Sequence, residues 1–213
     1  MNDPKTDRYL SEHTTPEDPL LTELDRVTHL RTVQPQMIAG HVEGKILELF
    51  SKMLRPEKIL EIGTFTGYSA LCLDKGLCEG GELHTVDVND ELAPLAASFF
   101  ARSPYGDRIR QHTGSALEVV PRLGLTFDLV FIDGDKREYP DYYRMLLEGG
   151  YVRSGSVLLA DNILWYGKVS DPESHNDPHT RCIREFNRLV REDSRVENVI
   201  IPVRDGLTVI RVK

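Results

Sequence analysis

The sequence predicts an α/β domain: a mostly parallel seven-stranded sheet with helices on both faces and a closing antiparallel hairpin. Three observations carry this prediction. Short apolar runs alternate with helical patterns from Lys58 to Ala160. A glycine-bearing turn, Glu61-Ile62-Gly63-Thr64-Phe65-Thr66-Gly67, joins the first run to a helix. Two apolar runs end the chain with Arg204-Asp205-Gly206 between them, and Asp-Gly in that setting is a hairpin signal.

The elements follow in order. Residues 1–19 form a polar arm with Pro4, Pro16 and Pro19, and residues 20–213 form one domain. Leu20, Leu24, Val27 and Leu30 recur at helical spacing, and Gln34-Pro35-Gln36 breaks the pattern. Val42, Ile46, Leu49, Phe50 and Met53 mark a second helix that Pro56 ends. Strands are expected at Lys58–Ile62, Glu82–Val86, Arg108–His112, Phe127–Ile132 and Ser156–Ala160. The intervening helices are expected at Ser69–Lys75, Glu91–Ala101, Ala116–Leu123 and Tyr139–Glu148. Strands separated by helices imply βαβ units and a parallel sheet, and right-handed crossovers then restrict the topology. After a polar loop and a helix at Thr180–Arg191, the hairpin strands are Val196–Val203 and Leu207–Val212.

Bulk properties narrow the function. The chain has 213 residues, 40% of them hydrophobic and 28% charged, an ordinary soluble balance. A formal charge of -8, with no basic tract, repels nucleic acid and anionic membranes, so neither is expected as a partner. Cys72, Cys78 and Cys182 are odd in number and lack CxxC spacing, so reduced thiols are expected rather than zinc ligands or disulfides. The first residues lack the apolar core of a signal peptide, and no run is long enough for a bilayer span. A cytoplasmic protein is expected.

Open parallel sheets bind ligands beyond the carboxyl ends of their strands. Gly63 and Gly67 sit at such an end, where a sharp turn lets a ligand approach the backbone. Their spacing is not GxGxxG, the pattern that sets a pyrophosphate on a helix N-terminus. Glu61 precedes the turn, and a carboxylate suits a cationic ligand better than a phosphate. S-adenosylmethionine has a sulfonium and an amino group and no phosphate. Asp87, at the tip of the second strand, can take both ribose hydroxyls. Alone it reads equally well as a turn residue beside Asn89 and Asp90. With the glycine loop in place, ribose binding is favoured.

Two further strand ends carry acids. The fourth core strand runs into Asp133-Gly134-Asp135-Lys136 and the fifth into Asp161-Asn162. Either segment alone reads as a turn. On neighbouring strands, Asp133, Asp161 and Asn162 share a rim and offer oxygen ligands suited to a hard cation such as Mg²⁺, with Mn²⁺ or Ca²⁺ also open. Such a cation holds two adjacent oxygens and acidifies a hydroxyl. Lys136 is the candidate general base, because a dication and burial both push a lysine's pKa down.

These segments together resemble the cation-dependent O-methyltransferases, the caffeoyl-CoA and catechol O-methyltransferase family. The resemblance rests on Gln36-Met37 and Gly44, Glu61 to Ser69, Asp133 to Lys136 followed by Tyr139, Asp161-Asn162-Ile163-Leu164-Trp165, and Pro202 to Thr208. It implies a Rossmann-like class I methyltransferase fold and methyl transfer from S-adenosylmethionine to a small phenolic or catechol acceptor. It implies Asp133, Asp161 and Asn162 as metal ligands and Lys136 as base. It implies Met37, Glu61, Gly63, Thr64, Ser69, Asp87, Ala116 and Asp135 around the cofactor, and a homodimer. Gly134 replaces the family's usual alanine, Ala39 stands where a hydroxyl residue often contacts the cofactor, and Tyr166 follows Trp165 where the plant enzymes have a substrate-contacting asparagine.

Other residues carry weaker readings. Trp165 and Tyr166 can stack on an aromatic acceptor or anchor their loop, with neither reading favoured. Asp171, His175, Asp177 and His179 match no metal-ligand spacing and read as a solvated loop or a lid. Cys72 reads as core and His41 as a surface or interface residue. Two alternatives stand beside the methyltransferase: a nicotinamide-dependent Rossmann oxidoreductase, and a non-catalytic S-adenosylmethionine-binding module.

Overall fold

In the computed structural model, which describes residues 3–213 apart from the side chain of His175, the central strands send alternate side chains into two cores. From β1 (Lys58–Ile62), Leu60 and Ile62 enter one core and Ile59 the other. In β4 (Phe127–Ile132), Val130 and Ile132 oppose Leu129 and Phe131 in the same way. Strands covered on both faces read as unbroken apolar runs, which is why they stand out in the sequence. The first core is closed by α6 (Ala116–Leu123), α7 (Tyr139–Glu148) and α8 (Pro178–Glu192). The second is closed by α2 (Pro19–Arg31), α3 (Gly40–Leu54), α4 (Tyr68–Leu73) and α5 (Ala93–Phe100).

With β2 (Glu82–Asp87), β3 (Ile109–Thr113), β5 (Val152–Ala160), β6 (Val196–Ile201) and β7 (Leu207–Val212), the sheet has seven strands in the order β3-β2-β1-β4-β5-β7-β6. The first five are parallel, and β7 runs antiparallel to both β5 and β6. This is the predicted α/β architecture with its closing hairpin.

Register places the site. Ile62 pairs with Val86 and Ile132, and Ile132 pairs with Ala160. The ladder continues one residue further: Gly63 N donates to Val86 O at 2.9 Å, Asp133 N to Ile62 O at 2.8 Å and Asp161 N to Ile132 O at 3.0 Å. Asp87, Asp133 and Asp161 therefore share one rim with Gly63, fixed by backbone hydrogen bonds.

Several elements differ from the sequence expectation. The polar arm carries a helix, α1 (Pro4–His13), that buries no residue. His41 tethers it, with Nε2 at 2.7 Å from Thr15 O and Nδ1 at 3.1 Å from Ser11 Oγ. A carbonyl only accepts, so Nε2 is the donor to Thr15 O. β5 begins at Val152 rather than Ser156, because its first half is polar and bulged against β4 between Phe127 and Leu129. Ser156 Oγ closes that bulge onto Phe127 O at 2.7 Å. β6 stops at Ile201 because Pro202 has no amide hydrogen for the ladder. No helix among the described residues is long and apolar enough to cross a membrane.

Gly63 has φ +105, and a Cβ there would lie 2.3 Å from the Asp133 carbonyl oxygen. Overpacking costs about 1–3 kcal/mol, and a positive φ adds strain. Gly63→Ala is expected to lower the unfolding free energy by about 2 kcal/mol or more, measured by urea titration; an unchanged midpoint would contradict this placement.

Candidate active site

A cavity of about 1320 Å³ lies over the carboxyl rim of the sheet. Of the residues singled out from sequence, Met37, Gly63, Asp87, Ala116, Asp133, Asp135, Lys136, Asp161, Asn162, Trp165 and Tyr166 all line it. Glu61, Thr64 and Ser69 do not line it. Glu61 shares strand parity with Ile59, so its side chain leaves the rim toward the second core. The wall itself is made by Gly63 and Phe65.

These three residues lie beneath the loop instead, with Glu61 and Thr64 joined through Thr85. Thr85 Oγ1 donates to Glu61 Oε2 at 2.5 Å, so the 2.5 Å contact between Thr64 and Thr85 must have Thr64 as donor. Glu61 Oε1 is buried with no hydrogen-bond partner. Burial, partly offset by the Ser69 and Thr85 hydroxyls, pushes the Glu61 carboxyl up to about 8. Asp87 ties the glycine loop to the next one: its Oδ2 accepts from Phe65 N at 2.8 Å and its Oδ1 from Asn89 N at 2.9 Å. The turn role is thus realised, and the residue still faces the cavity.

At the β4 end, Lys136 Nζ donates to Asp133 Oδ1 at 2.7 Å and to Tyr139 Oη at 2.6 Å. Tyr139 is fully buried, and its hydroxyl hydrogen is shared between Ile132 O at 3.0 Å and Asp161 O at 2.9 Å. Burial keeps it a phenol well above its usual titration range. Its lone pairs are therefore left for Lys136, and one phenol ties the β4 and β5 ends to that ammonium. Asp161 is 5% exposed, and its Oδ1 accepts from Asn162 N at 2.7 Å. Burial first, then the Asp133 charge, holds Asp161 above the ordinary carboxylate range. Asp135 is held to Arg137 by a 2.5 Å ion pair and a bond from Arg137 N at 2.9 Å.

Two residues of the site escaped the sequence reading. Glu43 on α3 is 1% exposed; its Oε2 accepts from Arg204 Nη1 at 2.7 Å, while its Oε1 has no hydrogen-bond partner. Burial, then the Asp161 charge, raises its carboxyl well above normal. Glu43 falls one turn from Leu47 and Ile46, on the buried face of α3. An acid on an apolar helical face was the available signal. Arg204 has φ 47, in a turn where only Asp-Gly drew notice.

The loop after β5 answers the question of Trp165. Trp165 Nε1 donates to Asp177 Oδ2 at 3.2 Å, and its ring stacks on His179 at 5.4 Å, so it anchors the loop while lining the cavity. Tyr166 is 67% exposed and is held by its backbone N to Asp205 Oδ1 at 2.7 Å. Asp171 and Asp177 cap the turns that follow them; the His175 side chain lies outside the described residues. Cys72 is buried and its thiol is pushed up by that burial, as befits core. Among the described residues, no group of three or more His, Cys, Asp or Glu side chains is placed to hold a metal ion alone. The ends of β4 and β5 bring two carboxylates and an amide to the cavity, Asp133, Asp161 and Asn162.

The sequence model of the O-methyltransferase family matches residues 11–213. The chain belongs to that family. Among its relatives, caffeoyl-CoA O-methyltransferase 1 of Eucalyptus globulus is 32% identical over 179 residues, covering 79% of this chain and 72% of the plant protein. Catechol O-methyltransferase of Niastella koreensis is 29% identical over 188 residues, covering 84% of each. An O-methyltransferase from Bacillus cereus, solved in complex with SAH (S-adenosylhomocysteine), superposes with TM-score 0.90 at 32% identity over 98% of this chain and 97% of its own. One from Streptomyces achromogenes involved in tomaymycin synthesis, in complex with SAM (S-adenosylmethionine), gives TM-score 0.90 at 31% identity over 98% and 96%. The protein is an O-methyltransferase of the caffeoyl-CoA and catechol type, with a Rossmann-like fold. That membership sets aside the nicotinamide oxidoreductase.

A carboxyl whose folded pKa is raised stabilises the fold below its ordinary pKa of about 4.5 and loses that contribution as pH rises toward about 8. Unfolding free energies at pH 5.5 and pH 8 are therefore expected to differ less in Glu61→Gln than in the parent O-methyltransferase. Equal differences would place the titration elsewhere.

Proposed function

We propose that this enzyme transfers the methyl group of S-adenosylmethionine to one of two vicinal hydroxyls on a small phenol, with a divalent cation bound beside it. The observation that carries the reading is the meeting of Asp133, Lys136 and Asp161 with Gly63 and Asp87 in one cavity. The relatives solved with SAH and SAM support the cofactor. In this reading Met37, Gly63, Asp87, Ala116 and Asp135 surround the cofactor, with Glu61, Thr64 and Ser69 supporting them from beneath.

Asp133, Asp161 and Asn162 would hold the cation, Mg²⁺ first and Mn²⁺ or Ca²⁺ as alternatives. The donor set fits, because the acids here outnumber the cations that pair with them. When bound, the cation supplies Lewis acidity and a grip on two neighbouring oxygens. The protein's own residues do the rest. Lys136, as the free amine, takes the proton of the attacking hydroxyl, and Tyr139 fixes Nζ in place. The oxygen then attacks the methyl carbon, the carbon–sulfur bond breaks, and neutral S-adenosylhomocysteine is left. Holding both reactants in line is the main catalytic contribution.

The cavity wall carries both signs of charge: Asp7, Glu138 and Asp205 line it beside Arg31, while Lys136 and Arg204 are paired with Asp133 and Glu43. Tyr166 is the exposed aromatic that would meet the ring. The homodimer belongs to the same reading, supported by exposed Leu49 and Met53 on α3 and Val199 and Ile200 on β6.

The test is methyl transfer from labelled cofactor to catechol after exhaustive chelation. Turnover is expected to vanish and to return with Mg²⁺; full turnover in the chelated enzyme would overturn the metal role. Lys136→Ala is expected to bind S-adenosylhomocysteine normally while kcat falls by about 10²–10⁴. Survival of kcat at neutral pH would overturn the base assignment.

A further inference from the structure

Arg204 occupies a backbone conformation that glycine adopts freely and arginine does not, with φ 47 in the turn between β6 and β7. Its guanidinium reaches far along the chain. Nη1 donates to Ile38 O at 3.1 Å, to Ala39 O, and to Glu43 Oε2 at 2.7 Å. Residues at strained backbone positions persist where the surrounding structure holds them there. Here the holding contacts lie on residues 38–43.

The stretch that precedes α3, residues 32–39, ends on two of those contacts and walls the cavity: Thr32, Val33, Gln34, Gln36, Met37 and Ala39 all line it. Its own anchorage is slight. Thr32, Met37 and Ile38 donate their amide hydrogens to Thr28, Gln34 and Pro35, only three or four residues back. Ile38 is buried, but Val33 and Met37 are largely exposed. Gly40, with φ +73 and open space where a Cβ would stand, follows directly and joins the stretch to α3. The stretch is thus a wall with a permissive joint at one end and a guanidinium clamp beside it.

We propose that Arg204 is a positioning residue that latches residues 32–39 over the bound cofactor, and that its release opens the route by which spent cofactor leaves. This rests on the cofactor lying in this cavity. All three contacts come from one nitrogen, Nη1, whose two hydrogens are shared among two carbonyls and a carboxylate. Glu43 makes the latch durable: it is buried, and without Arg204 its charge loses its paired cation.

Arg204→Gly isolates the guanidinium, since it removes the side chain while relieving the backbone. Dissociation of S-adenosylhomocysteine is followed by stopped-flow fluorescence of Trp165, the one tryptophan in the chain, which lines the cavity. Hydrogen exchange is measured in parallel. Dissociation is expected to accelerate about tenfold, equivalent to about 1.4 kcal/mol, with faster exchange confined to residues 32–40. Arg204→Lys is expected to fall between the two. Unchanged dissociation in either folded variant would overturn the latch, as would exchange that rises equally in β4 and β5, the sign of a merely structural brace. Failure of the parent enzyme to bind S-adenosylhomocysteine saturably would instead overturn the cofactor reading beneath it.

Discussion

Everything at the rim of this sheet depends on negative charge that the protein only partly neutralises. Glu43, Glu61, Asp133 and Asp161 crowd the ends of β1, β4 and β5, and Lys136 and Arg204 are the cations paired with them. Burying like charges together raises their pKa values and opposes folding unless cations or protons arrive. The directions for Glu43, Glu61 and Asp161 all show that penalty. A site built this way is stabilised by cationic ligands, and a sulfonium cofactor with a divalent metal is a chemically apt pair.

The fold imposes this crowding. Parallel pairing brings strand ends into register, and the ladder bonds beyond Ile62 and Ile132 fix the next residues on one edge. Gly63 lets that edge close, since any side chain there would strike the Asp133 carbonyl. Tyr139 then ties the edge together, receiving Lys136 while its hydrogen serves the carbonyls of Ile132 and Asp161. In the proposed mechanism stability and catalysis share these atoms, so substitutions at the rim are expected to affect both.

The strands and helices were legible because both faces of the sheet are covered and the apolar runs are continuous. Asp133 and Asp161 were legible because each directly follows a strand. Three features were not. The first half of β5 is polar and bulged, so no apolar pattern announces it. The inward direction of Glu61 depends on strand parity, which the motif alone does not declare. Glu43 and Arg204 meet across a separation of 161 residues, and no local pattern encodes such a pair. Trp165 lay between, since an aromatic at a loop start serves as an anchor or as a platform with equal ease, and only the Asp177 and His179 contacts decide that it anchors.

We propose that the acidic excess at the rim is met by a cation beside the cofactor. Calorimetric titration of Mg²⁺ into protein saturated with S-adenosylhomocysteine tests it most directly. One saturable site per chain, lost in Asp161→Asn, is the predicted result. Absence of saturable binding, or binding indifferent to Asp161→Asn, would contradict it.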